Sequence, residues 1–269
     1  MTSSRISRRF AERSAQGRAT LVPYVTAGFP TLDDTIPLLE ALADAGADVI
    51  ELGIPFSDPL ADGPTIQASS FRALENGMSV AGVLEMVRRF REKRDTPLVL
   101  FTYLNPVFHY GLDRFCADAA EAGADGVLLT DLPAGSDPEM EQALVRAGLD
   151  LIRLLAPTTA DDRVAHVVDG GGGFLYYISR TGVTGARSEL RSELAAEVDR
   201  IRERVGLPVA VGFGISSPEQ ARAVAGVADG VVVGSALIQR LDQEGVEGAA
   251  RFVASLRAAM DEGRGSVDA

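Results

Sequence analysis

Apolar positions repeat along this chain with two alternating periods. Short runs rich in β-branched residues read as strands: Thr20–Thr26, Asp48–Ile54, Leu98–Tyr103, Gly126–Thr130, Asp150–Leu155, Gly173–Ser179, Val209–Gly212 and Gly230–Val233. Stretches with apolar residues every three or four positions lie between them: Asp33–Ala45, Val80–Arg91, Asp113–Ala122, Ser136–Ala147, Leu194–Val205 and Pro218–Ala225. Gly46, Gly123 and Gly148 stand where a helix ending takes a left-handed residue. Repeated strand-then-helix units predict a parallel sheet, and eight of them close into a (β/α)8 (TIM) barrel. No linker-like stretch interrupts the series, so residues 1–269 read as one domain. Ile6 and Phe10 lie one turn apart and predict a short N-terminal helix covering the barrel bottom. A short extra helix is expected after strand eight, and the tail after Gly263 reads as frayed.

Composition narrows the chemistry. The 269 residues slightly exceed the roughly 250 usual for such a barrel. A formal net charge of −12 repels phosphate backbones and argues against nucleic-acid binding. It still permits a small phosphorylated substrate held locally by backbone amides. No apolar run approaches the roughly 20 residues that span a bilayer, so no membrane partner is expected. Cys116 is the only cysteine, which excludes an intrachain disulfide and fits a reducing, cytoplasmic setting. The N-terminal Arg5, Arg8, Arg9 and Arg13 read as the polar face of the covering helix rather than as a transit peptide.

Two scarcities decide more. Lys93 is the only lysine, in a charged stretch that reads as a solvated helix end. Schiff-base chemistry and covalent attachment of pyridoxal phosphate need a buried lysine, so no cofactor is expected in this chain. The two histidines, His109 and His166, are far apart and in no metal-ligand spacing, so no metal is expected either. His166 falls within a helical pattern and reads as a surface residue. Carboxylates, hydroxyls and backbone dipoles are left to do the work.

In this fold the C-terminal strand ends carry the site. Along Asp48–Ile54 the two-residue period puts Ile50, Leu52 and Ile54 on one face and Val49, Glu51 and Gly53 on the other, the barrel interior. Glu51 is thus an ionisable group in an apolar interior near the upper rim. Burial raises a carboxyl pKa and suits a general acid, although a structural carboxylate paired across strands would have the same pattern. The Pro- and Gly-rich loop Pro55–Pro64 adds Asp58 and Asp62 over the mouth, where either also suits an N-cap or turn. Glycines recur at three successive strand ends: Gly182 with Gly185, Gly212 with Gly214, and Gly234 before Ser235. They let backbone N–H groups approach a phosphate, with Ser235 as N-cap and hydroxyl donor.

The string Glu51–Gln67 (ELGIPFSDPLADGPTIQ) resembles the signature of the tryptophan synthase α subunit family. Further matching pieces are PYVTAGFP at Pro23, YLNPVF at Tyr103, DLP at Asp131, SRTGVTG at Ser179, GFGISSPEQ at Gly212 and GSALI at Gly234. The resemblance implies a lyase that cleaves indole-3-glycerol phosphate to indole and glyceraldehyde 3-phosphate. It also implies a pyridoxal-phosphate β subunit in an α2β2 complex, met through Ser57–Pro64 and Asn105–Gly111. Carried over, Glu51 is the catalytic acid/base and Asp62 engages the indole nitrogen. Tyr24, Phe101, Leu128, Leu154 and Tyr176 would line the indole pocket, and Gly185, Phe213, Gly214, Gly234 and Ser235 would hold the phosphate. Thr184, on a lid spanning Arg180–Leu194, would orient the Asp62 loop. Tyr24 departs from an expected Phe, and Phe29 from a frequent acid, a change expected to alter only the loop surface. Arg153 has no role but needs a carboxylate partner if buried. A stand-alone indole-producing lyase and a non-catalytic phosphate-sensing regulatory subunit remain as alternatives.

Overall fold

The computed structural model describes residues 4–179, 188–212 and 214–262. Eight parallel strands close into one barrel in sequence order. They are β1 (Thr20–Thr26), β2 (Ile50–Gly53), β3 (Leu98–Thr102), β4 (Gly126–Leu129), β5 (Asp150–Leu155), β6 (Leu175–Ile178), β7 (Val209–Gly212) and β8 (Gly230–Val233). Each position matches a predicted strand, and the differences lie at the ends. Gly173 has φ +67° and so begins no strand; β6 starts two residues later. Gly46, Gly123 and Gly148 all have positive φ, as helix endings of this kind require.

Residue parity separates two cores. Val22, Val49, Val99, Leu128, Ile152, Phe174, Ala210 and Val232 fill the barrel interior, whereas Ile50, Leu52 and Ile54 pack outward under the helices. The N-terminal helix Arg5–Ala15 inserts Ile6 and Phe10 into the interior from below. Phe10 stacks on Phe174 with ring centroids 5.2 Å apart. Glycines at the strand starts make room for this plug: a Cβ at Gly126 would lie 3.1 Å from Ile6, and one at Gly230 3.1 Å from Phe10.

The turn aspartates before three even strands act as staples. Asp48 accepts the Leu21 N–H at 2.9 Å, Asp125 that of Leu98 at 2.9 Å, and Asp229 that of Val209 at 2.8 Å, each tying an even strand to the preceding odd one. Arginines complete each staple: Arg13 and Arg257 on Asp48, Arg5 and Arg91 on Asp125, and Arg202 on Asp229. The buried Arg153 likewise has its carboxylate, Glu141 at 2.6 Å.

Two helices go beyond the sequence reading. Pro64–Glu75 follows the predicted loop directly, with Pro64 in its first turn, a position that tolerates proline. Leu104–Tyr110 occupies the segment after β3. After β8 the chain runs helical from Ser235 to Glu262 with a break at Gly245 (φ +67°), so the expected extra helix is its first portion. Helical structure begins at Ser235, which makes Gly234 the residue before the helix; Ser235 is therefore in the first turn rather than the N-cap. Phe29 is 4% exposed beneath the Arg72 guanidinium, 5.3 Å from its ring centroid. The change from an acid there adds a buried apolar contact instead of altering only the loop surface.

Removing one partner of a buried ion pair strands the other, so Asp48→Ala is expected to cost about 3–5 kcal/mol. Urea unfolding reads this directly; a loss under about 1 kcal/mol would show that the staple contributes little.

Candidate active site

At the C-terminal strand ends the barrel opens into a cavity of about 570 Å³. Its floor and walls include Glu51 from β2, Tyr24 from β1, Phe101 from β3, Leu154 from β5, and Tyr176 and Ile178 from β6. Asp62, Gly63 and Ile66 close one side, and Gly214, Gly234 and Ser235 the other. A second concavity of about 630 Å³ lies away from the strand ends, between helices Pro138–Arg146 and Asp161–Val167. It includes exposed His166, and its Glu141 is already committed to Arg153. Of the two, the mouth cavity joins an apolar wall to two perturbed acids.

Glu51 is fully buried, and neither carboxyl oxygen has a hydrogen-bond partner among the described residues. With nothing to stabilise the anion, burial pushes its pKa up from 4.5 to about 8. The group is therefore protonated at neutral pH, able to donate. Asp62 lies on the loop before the Pro64–Glu75 helix. Burial raises its pKa to about 6, while the Tyr103 hydroxyl, donating at 2.9 Å, pulls the other way. Tyr103 in turn accepts the Ala61 N–H at 3.1 Å, and Gln67 donates to the Asp62 carbonyl at 2.9 Å. The loop is held from both sides. Between pH 6 and 8 the cavity thus holds one protonated and one ionised carboxyl group.

Glycines again set the geometry. A Cβ at Gly53 would lie 2.3 Å from the Tyr24 hydroxyl, and one at Gly212 2.5 Å from that of Tyr176. Both phenols occupy space that only glycine leaves. Tyr24 also meets Phe101 edge-on, centroids 5.1 Å apart. Gly214 has φ +73°, a conformation that L side chains rarely adopt.

Most of the predicted site residues converge here. Leu128 faces inward in the buried interior cluster, against which Phe101, Leu154 and Tyr176 pack, and is not among the residues lining the cavity. Thr184, Gly185, Phe213 and most of the expected lid lie outside the described residues. Tyr103, Ile66, Thr130, Ile215, Ser216 and Gln239 join the site without having been singled out. Tyr103 opens the matching YLNPVF string, but nothing local says that it reaches Asp62, 41 residues away.

A closed parallel barrel with two unlike carboxyls at its C-terminal mouth has the architecture of a barrel enzyme. The profile of the tryptophan synthase alpha chain family matches residues 10–264. Relatives of that name from Citrifermentans bemidjiense and Burkholderia thailandensis are each 52% identical, covering 94% and 96% of this chain and 97% of theirs. The crystal structure of tryptophan synthase subunit alpha from Legionella pneumophila superposes with a TM-score of 0.89 at 39% identity, covering 97% of this chain and all of that one. Tryptophan synthase from Mycobacterium tuberculosis gives 0.88 at 37%, covering 96% and 98%. The chain belongs to the tryptophan synthase alpha chain family, and it is a lyase.

The raised pKa of Glu51 carries a stability signature. Below pH 4.5 the carboxyl is neutral in both folded and unfolded chains. As pH rises toward 8 only the unfolded chain ionises, so folding loses stability over that window. Glu51→Gln lacks the titration and should be more stable than wild type by about 3 kcal/mol at pH 7 and by nothing at pH 4. Urea unfolding at the two pH values tests this; a gap that does not change with pH would place a charged Glu51 in the folded protein.

Proposed function

We propose that this chain cleaves indole-3-glycerol phosphate to indole and glyceraldehyde 3-phosphate, with Glu51 and Asp62 as the acid/base pair. The observation that carries the reading is the neutral Glu51, without a hydrogen-bond partner among the described residues, facing the same cavity as an ionisable Asp62. Breaking the bond between indole carbon 3 and the glycerol chain requires an electron sink. Protonated Glu51 delivers a proton to carbon 3, and the cationic ring that results accepts the bonding pair as the bond breaks. The Glu51 carboxylate then takes the proton of the glycerol hydroxyl as the aldehyde forms, which restores the acid with no net proton consumed. Ionised Asp62, facing the ring N–H, stabilises the positive charge as it develops. Apolar Phe101, Leu154 and the ring of Tyr176 suit the indole. Gly214, Gly234 and the helix start at Ser235 offer backbone N–H groups to the phosphate at the opposite wall. Gly185, Phe213 and Thr184 complete the site by resemblance.

The partner proposed is a tryptophan synthase β subunit, in an α2β2 assembly whose pyridoxal phosphate belongs to that subunit. Leu60, 90% exposed, and Phe108, 52% exposed, lie on the two segments expected to meet it. Apolar side chains left in solvent beside the mouth suit a docking rim through which indole passes.

Indole release from indole-3-glycerol phosphate, measured with and without a β subunit, tests both parts. Slow release that rises sharply with the partner is expected, and Glu51→Gln should abolish it; no release in either case overturns the reading. The rate against pH should be bell-shaped, highest between about 6 and 8. Below 6 Asp62 gains a proton, and above 8 Glu51 loses its own. Tyr103→Phe removes the donor that favours ionised Asp62, so the acid limb alone should move to higher pH. An unmoved acid limb would assign that limb to another group.

A further inference from the structure

The Tyr24 hydroxyl has no part in the acid/base chemistry, yet it heads a buried chain of hydroxyls. Its oxygen lies 3.2 Å from Thr26 Oγ1, which lies 2.7 Å from Ser69 Oγ, which lies 2.8 Å from the Ile66 carbonyl. Thr26 and Ser69 are each 1% exposed. Each hydroxyl owns one proton, and the carbonyl at the end can only accept. All three contacts are made in one order alone: Ser69 donates to Ile66, Thr26 to Ser69, and Tyr24 to Thr26. Any other order leaves a buried contact unmade, which is costly. Burial also keeps the phenol protonated, with the Asp62 charge acting in the same direction.

The proton of Tyr24 is thereby committed to Thr26, which lies outside the cavity wall, while Tyr24 itself is part of that wall. Its register partner on β2 is Glu51, but the phenol reaches forward to Gly53, two residues nearer the mouth. What the oxygen can offer a ligand is lone pairs. We propose that Tyr24 is a positioning residue that fixes a hydrogen-bond acceptor in the cavity wall, selecting ligands with an N–H or O–H donor beside Gly53. This rests on the cavity being the indole-3-glycerol phosphate site, where, with the ring N–H facing Asp62, the glycerol hydroxyls are the source of such a donor.

The test compares wild type, Tyr24→Phe, Thr26→Val and the double variant. KM and kcat for indole-3-glycerol phosphate are measured alongside the calorimetric Kd of 3-(indol-3-yl)propyl phosphate, which keeps the ring N–H and the phosphate but has no chain hydroxyl. Tyr24→Phe should raise KM about 3- to 10-fold with kcat changed less than about twofold, the effect of one hydrogen bond. Thr26→Val keeps the phenol but removes its acceptor, freeing the proton to turn into the cavity. It should raise KM comparably and add nothing in the double variant, an outcome that a merely structural Thr26 would not give. A loss confined to the substrate, which alone carries chain hydroxyls, assigns the donor to a glycerol hydroxyl; equally weakened binding of the propyl phosphate overturns that assignment. Unchanged KM and Kd in Tyr24→Phe, or effects that sum in the double variant, overturn the proposal. Should Thr26→Val fail to fold, Tyr24→Phe alone decides. If wild type binds the substrate without cleaving it, the lyase reading fails, and the substrate's own Kd replaces KM in the comparison. If wild type binds neither ligand, both readings fall.

Discussion

Ionising a carboxyl group that has left water and found no donor costs several kcal/mol, and the barrel avoids that cost by keeping Glu51 neutral. The surroundings follow from this requirement. Glu51 points inward because β2 alternates, and the interior side chains of β2, β3 and β4, Val49, Val99 and Leu128, offer no polar atom. Gly53 above it leaves the room that the Tyr24 hydroxyl takes. A donor placed within reach would have lowered the pKa and exchanged a poised acid for a structural ion pair.

Asp62 shows the same physics with a different balance. It sits on a loop, only partly buried, and receives a hydrogen bond from Tyr103. That bond favours the anion, so two chemically similar groups acquire opposite protonation states across a range near neutral pH. The Pro64–Glu75 helix is the bracket for this arrangement. Gln67 in its first turn grips the Asp62 carbonyl, Ile66 lines the cavity, and Ser69 ties the helix to Thr26 on β1.

The two ends of the barrel use similar devices for different purposes. At the bottom, glycines at Gly126 and Gly230 admit the side chains of the covering helix, and aspartate–arginine staples lock strand to strand. At the top, glycines at Gly53 and Gly212 admit two tyrosine hydroxyls, and among the described residues the acids near them have no arginine partner. At the bottom the three turn aspartates are paired with arginines, whereas at the mouth perturbed acids are what chemistry can use.

The chain's own order of residues determined the eight strands, the glycine helix endings, the N-terminal plug and the inward face of Glu51. These follow from periods of two and 3.6 and from backbone conformations that are local. The signature from Glu51 to Gln67 located the second acid as well. Tertiary structure alone decided that Tyr103 donates to Asp62, 41 residues away, that Glu141 neutralises Arg153, and that Phe29 is covered by Arg72. It also decided that Leu128 lies in the interior cluster while Tyr24 and Phe101 reach the cavity. Parity says which face a side chain takes, but its height along the barrel depends on the register between strands, and register is set when all eight close on one another.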